Sequence, residues 1–94
     1  MHAMVVTVDV DASRAEEAER ALHEVTIPTV KEREGFVRGI WLRTGDKSDG
    51  RGIVVYDTEE NARAAMASFE QEGPPPGAPV TVRSVEVFEV VGEA

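Results

Sequence analysis

Two aromatic side chains are the first candidates for a chemical role, because they are the only tryptophan and the only tyrosine in the chain. Trp41 lies within an apolar segment, and Tyr56 ends another. Such rings offer a flat apolar surface on which an aromatic ligand can stack, and each carries one polar group that can orient it. The same rings also pack well in a core or in a dimer interface. Both interpretations of Trp41 and Tyr56 are open at the level of sequence.

Two arginines near Trp41 are candidates for binding an anionic group. Arg38 and Arg43 lie at positions of opposite parity, so a strand that contains both points them to opposite faces. A charged arginine inside an apolar cavity requires a carboxylate or an anionic ligand, because an unpaired buried charge is costly. Glu86 and Glu89 on the last predicted strand are candidates for that carboxylate. A structural ion pair or a solvated strand edge is the alternative interpretation.

The other reactive residue types form no recognisable catalytic or metal-binding pattern. His2 and His23 are far apart in the sequence and cysteine is absent, so no metal-ligand spacing exists. We expect His2 to be mobile near the chain end, and His23 to lie on a helix surface near Glu19. No serine lies in a nucleophile elbow. We therefore predict neither a metal site nor a cofactor, and whether the protein is an enzyme stays open.

The apolar pattern predicts the strands and helices that position these side chains. Predicted strands cover residues 4–10, 36–43, 53–56 and 80–91, and predicted helices run from about Ser13 to Arg33 and from Glu59 to Glu72. The apolar parity of the last strand changes near Ser84, which indicates either a β-bulge there or a strand that is buried on both sides. The order βαββαβ is that of a ferredoxin-like α+β fold, with an antiparallel four-stranded sheet and both helices on one face. We predict a single domain over residues 1–94.

The ends of the two helices carry local signals. Ser13 and Glu16 have the spacing of a capping box, which predicts Ser13 as the cap of the first helix. Pro28 cannot donate a backbone hydrogen bond, so it must kink or end that helix. Thr58 or the preceding Asp57 is expected to cap the second helix.

Charge and composition exclude several classes of partner. The 94 residues carry 10 basic and 18 acidic side chains, and the net charge of −8 argues against binding nucleic acid or an anionic membrane surface. Ile53, Val54 and Val55 stand where an RNA-recognition motif carries two stacking aromatics and a small residue. No apolar run is long enough to span a membrane. The lack of cysteine and of a recognisable signal peptide favours a cytoplasmic location.

The predicted sheet has more apolar surface than two helices on one face can cover. The second strand carries Ile40 on one face and Trp41 on the other, and the last strand carries Val87 and Phe88 in the same way. The uncovered face would expose an apolar patch on the order of several hundred Å², which soluble monomers rarely show. We therefore predict a homodimer in which two copies pack sheet to sheet.

Three segments resemble the dimeric α+β barrel superfamily, in particular its antibiotic-biosynthesis-monooxygenase-like proteins and its stress-responsive barrels. They are the first helix with its kink at Pro28, Glu34-Gly35-Phe36-Val37 before the second strand, and Tyr56-Asp57-Thr58-Glu59-Glu60 before the second helix. The resemblance covers most of the chain. It implies a homodimer whose two sheets enclose a barrel-like cavity, in a family that includes cofactor-free monooxygenases, haem-degrading enzymes and proteins without known activity.

The resemblance also implies which functions to compare. Haem-degrading members pair an aromatic at the end of the third strand with a histidine in the following helix. Tyr56 has the place of the aromatic, but that helix contains no histidine and Met66 lies near its expected place, which disfavours haem degradation. Our prediction is a dimeric barrel that is non-catalytic or binds a small apolar or aromatic ligand.

Two alternatives to that prediction are kept. The first is a cofactor-independent monooxygenase that acts on an aromatic or polyphenolic metabolite. In that case Trp41 and Tyr56 would shape the pocket, and Arg38 or Arg43 would stabilise an anionic ligand oxygen. The second alternative is a regulatory ligand-binding module of the ACT type, which has the same order of strands and helices.

Overall fold

The structure contains the strands and helices in the predicted order. The computed structural model describes all residues, 1–94. The strands are β1 (His2–Val10), β2 (Phe36–Arg43), β3 (Asp49–Tyr56) and β4 (Val80–Glu89), and the helices are α1 (Ala15–Ala21), α2 (Ile27–Lys31) and α3 (Glu59–Glu72). A 3₁₀ turn, Ala12–Arg14, precedes α1, and a π-helical segment, Leu22–Thr26, joins α1 to α2. The predicted ferredoxin-like α+β fold is confirmed. No helix combines the length and the apolar character that crossing a membrane requires.

The four strands form one antiparallel sheet in the order β2-β3-β1-β4. β1 is therefore central, with β3 on one side and β4 on the other. Between β1 and β4 the register shifts, since Thr7 pairs with Ser84 whereas Val8 pairs with Val82. Arg83 is the extra residue of this β-bulge, which confirms the bulge predicted near Ser84 and explains the change of apolar parity.

The strand ends differ from the apolar pattern by a few residues. β1 begins at His2 and β3 at Asp49, both earlier than predicted, while β4 ends at Glu89. The ladder of a sheet is made by backbone groups, so polar and glycine residues extend a strand wherever a neighbouring strand lies alongside.

The first helical region is interrupted by a wider turn rather than by a simple kink. The N–H of Ile27 donates to the carbonyl of Leu22, five residues earlier, as in a π-helix. The pyrrolidine ring of Pro28 would clash with the carbonyl of Glu24 in a regular α-helix, and widening the helix before the proline relieves that clash. The helix ends at Lys31, two residues before the predicted end at Arg33.

The start of the first helical region differs from the capping-box prediction, which is wrong. Asp11 is the cap of the 3₁₀ turn, and its Oδ1 accepts from the N–H of Ser13 at 3.1 Å and from the Ser13 hydroxyl at 2.6 Å. The hydroxyl of Ser13 is thereby used as a donor, because the nearby carboxylate is the stronger acceptor. At α3 the prediction is confirmed for Thr58, whose hydroxyl accepts from the N–H of Asn61 at 3.1 Å.

The two faces of the sheet are covered differently. On the face that α3 covers, the centre of the core consists of six buried side chains: Met4, Val6, Val54, Tyr56, Ala62 and Ala65. The two alanines belong to α3 and let it lie close to the strands. We call this the helix-side face. No helix covers the opposite face, which we call the open face.

Candidate functional site

Trp41 lies on the helix-side face, flat against two glycines. It pairs with Gly52 of β3, and a Cβ atom on Gly52 would lie only 2.9 Å from its Nε1. A Cβ atom on Gly39 would lie 2.8 Å from its Cη2. The indole therefore rests on bare backbone at both positions, and it is partly exposed. An aromatic ring that covers a cross-strand glycine is a recognised device of sheets, so this spacing of Gly39, Trp41 and Gly52 is the signal that sequence reasoning missed.

Arg43 shares the helix-side face with Trp41, because it lies two residues further along β2. Its Nη1 lies 3.1 Å from Oε1 of Glu19, which belongs to α1. This ion pair links the first helix to the end of β2. The predicted partners, Glu86 and Glu89, are wrong for Arg43, since β4 and β2 form opposite edges of the sheet.

Arg38 lies on the open face, where β2 pairs it with Val55. Its Nη2 lies 3.2 Å from Oε1 of Glu93, so the segment after β4 reaches back to the opposite edge of the sheet. Glu86 and Glu89 are wrong as partners here too, because the carboxylate comes from the chain end rather than from the strand. The side chain of Arg38 is 59% exposed, so in the single chain it lies outside any closed cavity.

Tyr56 lies on the same face as Trp41 but not beside it. It is four residues along β3 from Gly52, which separates the two positions by about 13 Å. Tyr56 is completely buried, and its hydroxyl has no hydrogen-bond partner. Burial raises the pKa of this phenol, against a smaller opposing effect of the Arg33 charge. The structure thus brings Trp41 and Arg43 together at one end of the face and leaves Tyr56 at the other.

His2 is a residue that sequence reasoning underestimated. The predicted mobility is wrong, because His2 is the first residue of β1 and pairs with both Tyr56 and Glu89. Its Nε2 lies 3.9 Å from Oε1 of Glu59 on α3. No local signal in the sequence reveals this, since the ordering comes from the two strands beside it. His23 is exposed on the π-helical segment, as expected.

The open face has an apolar part and an ionic end. Ile40, Leu42 and Phe88 are 54%, 50% and 49% exposed, and a shallow depression of about 110 Å³ lies among Arg38, Gly39, Ile40, Ile53 and Val55. At the ionic end, Nη1 of Arg83 donates to Oδ1 of Asp9 at 3.1 Å and lies 3.6 Å from Oδ2 of Asp49. Arg51 donates to the same Asp49.

Comparison with known proteins gives matches in structure but not in sequence. No family model matches the chain, and no curated protein sequence does so either. MhuD, a heme degrader from Mycobacterium tuberculosis with two hemes bound in its active site, superposes with a TM-score of 0.76 at 20% identity, over 100% of this chain and 99% of that chain. A mutant of SnoaB, a cofactor-independent oxygenase from Streptomyces nogalater, gives 0.73 at 21% identity over 98% and 95%.

A third similar structure is a dimeric ferredoxin-like protein from an uncultured marine organism. It has a TM-score of 0.73 at 14% identity, over 100% of this chain and 98% of that chain.

The helix after the third strand lacks the histidine that the resemblance to haem-degrading proteins implies there. Helix α3 carries no histidine, and Met66, near the expected place, is partly buried and packs against the core cluster. No three His, Cys, Asp or Glu side chains are grouped as metal ligands would be. What the chain shares with the three structures is therefore their backbone arrangement. The chain has the same ferredoxin-like fold as these three proteins.

Proposed function

We propose that the protein is a homodimeric barrel that binds a small apolar or aromatic molecule against Trp41 on the helix-side face. The observation that carries the proposal is the partly exposed indole, which lies flat on Gly39 and Gly52. A flat aromatic surface of this kind favours stacking by a planar ring. Arg43 lies at the same end of the face and supplies a positive charge for an oxygen of the ligand.

The first helical region supports access to this surface. In α1 only Ala15 is buried, whereas α3 contributes two alanines to the core. Val25, in the π-helical segment, is 61% exposed. A helix with so little buried surface can shift at small energetic cost, and π-helical turns are frequent at functional sites. We therefore expect α1 to move when a ligand binds and the Arg43–Glu19 ion pair to open.

The surface area of the chain supports the homodimer. A single chain exposes 6030 Å², whereas a folded monomer of this mass exposes roughly 5,300 Å². A surface larger than that of an average monomer is expected of a chain that buries part of it against a partner. The half-exposed side chains of Ile40, Leu42 and Phe88 on the open face account for part of the additional surface.

The charges on the open face also favour a second copy as its occupant. Three arginines and three acidic residues of the strands lie on this face: Arg38, Arg51, Arg83, Asp9, Asp49 and Glu86. With the carboxylate of Glu93, which pairs with Arg38, the face carries three positive and four negative charges, whereas the whole chain carries −8. Two copies of a strongly acidic chain repel each other over most of their surfaces, so this nearly balanced face is where they approach at a small electrostatic cost.

A second candidate function is a cofactor-independent oxygenase. It is favoured by the fold that the chain shares with SnoaB, together with a stacking surface and an arginine at one site. In such a reaction a bound phenol or enol passes its proton to water, and the resulting anion is oxidised by O₂, which takes up the electrons. Arg43 would stabilise the anionic oxygen, and Trp41 would hold the ring.

Trp41 makes the binding proposal directly testable, because it is the only tryptophan. We expect hydroquinones or flavonoids from a small panel to quench its fluorescence saturably, after correction for their absorbance. Isothermal titration of Trp41→Ala should give at least tenfold weaker binding than the wild type, with Val25→Ala as the exposed control. Absence of saturable binding across the panel would contradict the proposed ligand class.

Oxygen uptake with the same panel separates the two candidate functions. An oxygenase consumes O₂ in proportion to protein concentration, and Arg43→Gln should lower kcat more than it raises KM, because the arginine acts on the anion. Binding without O₂ consumption supports the non-catalytic barrel.

For the dimer, sedimentation equilibrium should give twice the chain mass of 10.2 kDa, and a concentration-independent single-chain mass would contradict it.

A further inference from the structure

Two buried side-chain atoms lack a hydrogen-bond partner, and they belong to one cross-strand pair. They are Nδ1 of His2 and the hydroxyl oxygen of Tyr56. These residues are directly opposite each other on β1 and β3, so their Cβ atoms are about 5 Å apart on the same face. An unpaired buried polar group is costly, and native proteins contain few of them. Two such groups on facing side chains indicate a place where one polar group could pair with both.

The imidazole of His2 has one nitrogen toward the surface and the other toward the interior. On the outer side, Nε2 lies 3.9 Å from Oε1 of Glu59, and the side chain of His2 is only 22% exposed. Nε of Arg63 donates to the other carboxylate oxygen of Glu59 at 2.9 Å. Arg63 in the first place, and His2 as a smaller cause, lower the pKa of Glu59. Nε2 thus lies on the side of Glu59, while Nδ1, on the other edge of the ring, is buried.

We propose that His2 and Tyr56 together bind one hydroxyl group of a phenolic or enolic ligand. One hydroxyl oxygen can satisfy both atoms, because its O–H donates to Nδ1 while its lone pair accepts from the Tyr56 O–H. An ether oxygen can only accept, and a hydrocarbon can do neither. The inference rests on the proposed function for the aromatic character of the ligand, and it adds a hydroxyl-binding position about 13 Å along the same face from the Trp41 surface.

A ligand reaches this site only if the covering part of the chain moves. Tyr56 is completely buried, so a ligand reaches its hydroxyl only when a covering element moves. Helix α3 is held by Ala62 and Ala65 in the core. Tyr56 packs in one cluster with Ala62 and Ala65, so a movement of the N-terminal end of α3, where Glu59 faces His2, is what opens the site.

Phenol and its methyl ether, anisole, are the matched probes for this site. They have the same ring, but anisole has no hydroxyl proton to donate. The wild type is expected to bind phenol at least fivefold more tightly than anisole in an NMR chemical-shift titration. Tyr56→Phe and His2→Leu should each bring that ratio close to one. His23→Leu is the control, because it removes an exposed histidine and should leave the ratio unchanged.

The outcomes separate this inference from the proposed function. Equal affinity of the wild type for phenol and anisole would overturn the His2–Tyr56 site, even if larger aromatics quench Trp41 and the proposed function stands. A phenol preference that depends on His2 and Tyr56, without any aromatic ligand affecting Trp41, would support the site and contradict the stacking surface.

Thermal unfolding gives a measurement that needs no ligand. Tyr56→Phe removes only the hydroxyl, so an unpaired hydroxyl predicts a Tm equal to or higher than that of the wild type. A clear fall in Tm would mean that the hydroxyl is paired within the protein, and would overturn the inference.

Discussion

The helix-side face and the open face of this sheet are built from similar residues but are covered in different ways. Along β2, Trp41 rests on glycines beneath the helices, whereas its neighbour Ile40 is half exposed. On β4 the contrast recurs, since Val87 packs against the core and Phe88 is half exposed. Apolar character along a strand thus indicates that a face needs a partner, but not which partner covers it. The experiments below test that difference between the faces.

The largest expected effect is the loss of the dimer on placing a charge in the open face. Ile40→Asp introduces two like charges per interface, and we expect it to weaken association by roughly 4 kcal/mol, about a thousandfold in the dissociation constant. Sedimentation equilibrium measures the change. Val25→Asp adds the same charge at an exposed helical position and should leave the dimer intact. Equal effects of the two variants would contradict a special role for the open face.

A large-to-small change on the helix-side face should instead destabilise each folded chain. Met4→Ala removes a buried core side chain, and we expect a loss of about 3 kcal/mol in the free energy of unfolding. Urea denaturation at several protein concentrations checks this, because a loss within the chain does not depend on dissociation. Val25→Ala, with its exposed side chain, should cost less than about 0.5 kcal/mol. A loss that disappears at high protein concentration would place Met4 at the interface instead.

A smaller loss of stability is expected from adding a methyl group to a glycine beneath Trp41. Gly52→Ala brings a Cβ atom to 2.9 Å from Nε1 of Trp41, which should displace the indole and cost about 1–2 kcal/mol. The tryptophan emission should shift to longer wavelength as the ring becomes more exposed. Gly45→Ala is the control, since a Cβ atom there meets nothing within 4 Å. An unchanged emission spectrum of Gly52→Ala would contradict the described packing.

The smallest effect is expected from protonation of Asp46 in the β2–β3 turn, which belongs to neither face of the sheet. Oδ1 of Asp46 accepts from the Ser48 N–H at 3.0 Å and from the hydroxyls of Ser48 and Thr44 at 2.7 Å each. The bonds from Ser48, followed by the one from Thr44, lower the pKa of Asp46 from 3.8 to about 2.

A lowered pKa means that the folded chain favours the ionised carboxylate, so its contribution is complete above pH 3.8 and is lost as the pH falls through about 2. Loss of these hydrogen bonds should loosen the β2–β3 turn. Hydrogen exchange at the Lys47 amide, which donates to the Thr44 carbonyl within the turn, should measure that change. In Asp46→Asn, the protection of the Lys47 amide relative to an unstructured amide should no longer depend on pH. An identical pH profile in the variant would contradict the role of Asp46.

The fold could be predicted from sequence largely because its signals are local. Apolar alternation marks the strands, Pro28 marks the disturbed helix, and the parity change near Ser84 marks the bulge. The cap of the first helical region was predicted to be Ser13, but Asp11, two residues earlier, is the stronger acceptor and takes that role. Its carboxylate accepts from the Ser13 hydroxyl, which is therefore used as a donor. This arrangement depends on the rotamer of the Asp11 carboxylate, which cannot be predicted from the residue types alone.

The candidate site was only partly accessible from sequence. Trp41 and Arg43 could be selected by residue type, and their shared face follows from strand alternation. The predicted partners of the two arginines were wrong. Arg43 pairs with Glu19 of α1, and Arg38 pairs with Glu93 near the chain end. The proposed role of His2 depends on Tyr56 lying opposite it, which only the pairing of β1 with β3 reveals.

What the sequence by itself determines is the order of strands and helices and the excess of apolar surface on both faces of the sheet. These properties depend on the intrinsic preferences of neighbouring residues, which are encoded locally. The tertiary structure decides which side chains meet: Trp41 with Gly39 and Gly52, Arg43 with Glu19, and His2 with Tyr56. Such contacts join residues distant in the chain, and they exist only once strand register has been chosen by the packing of the whole domain.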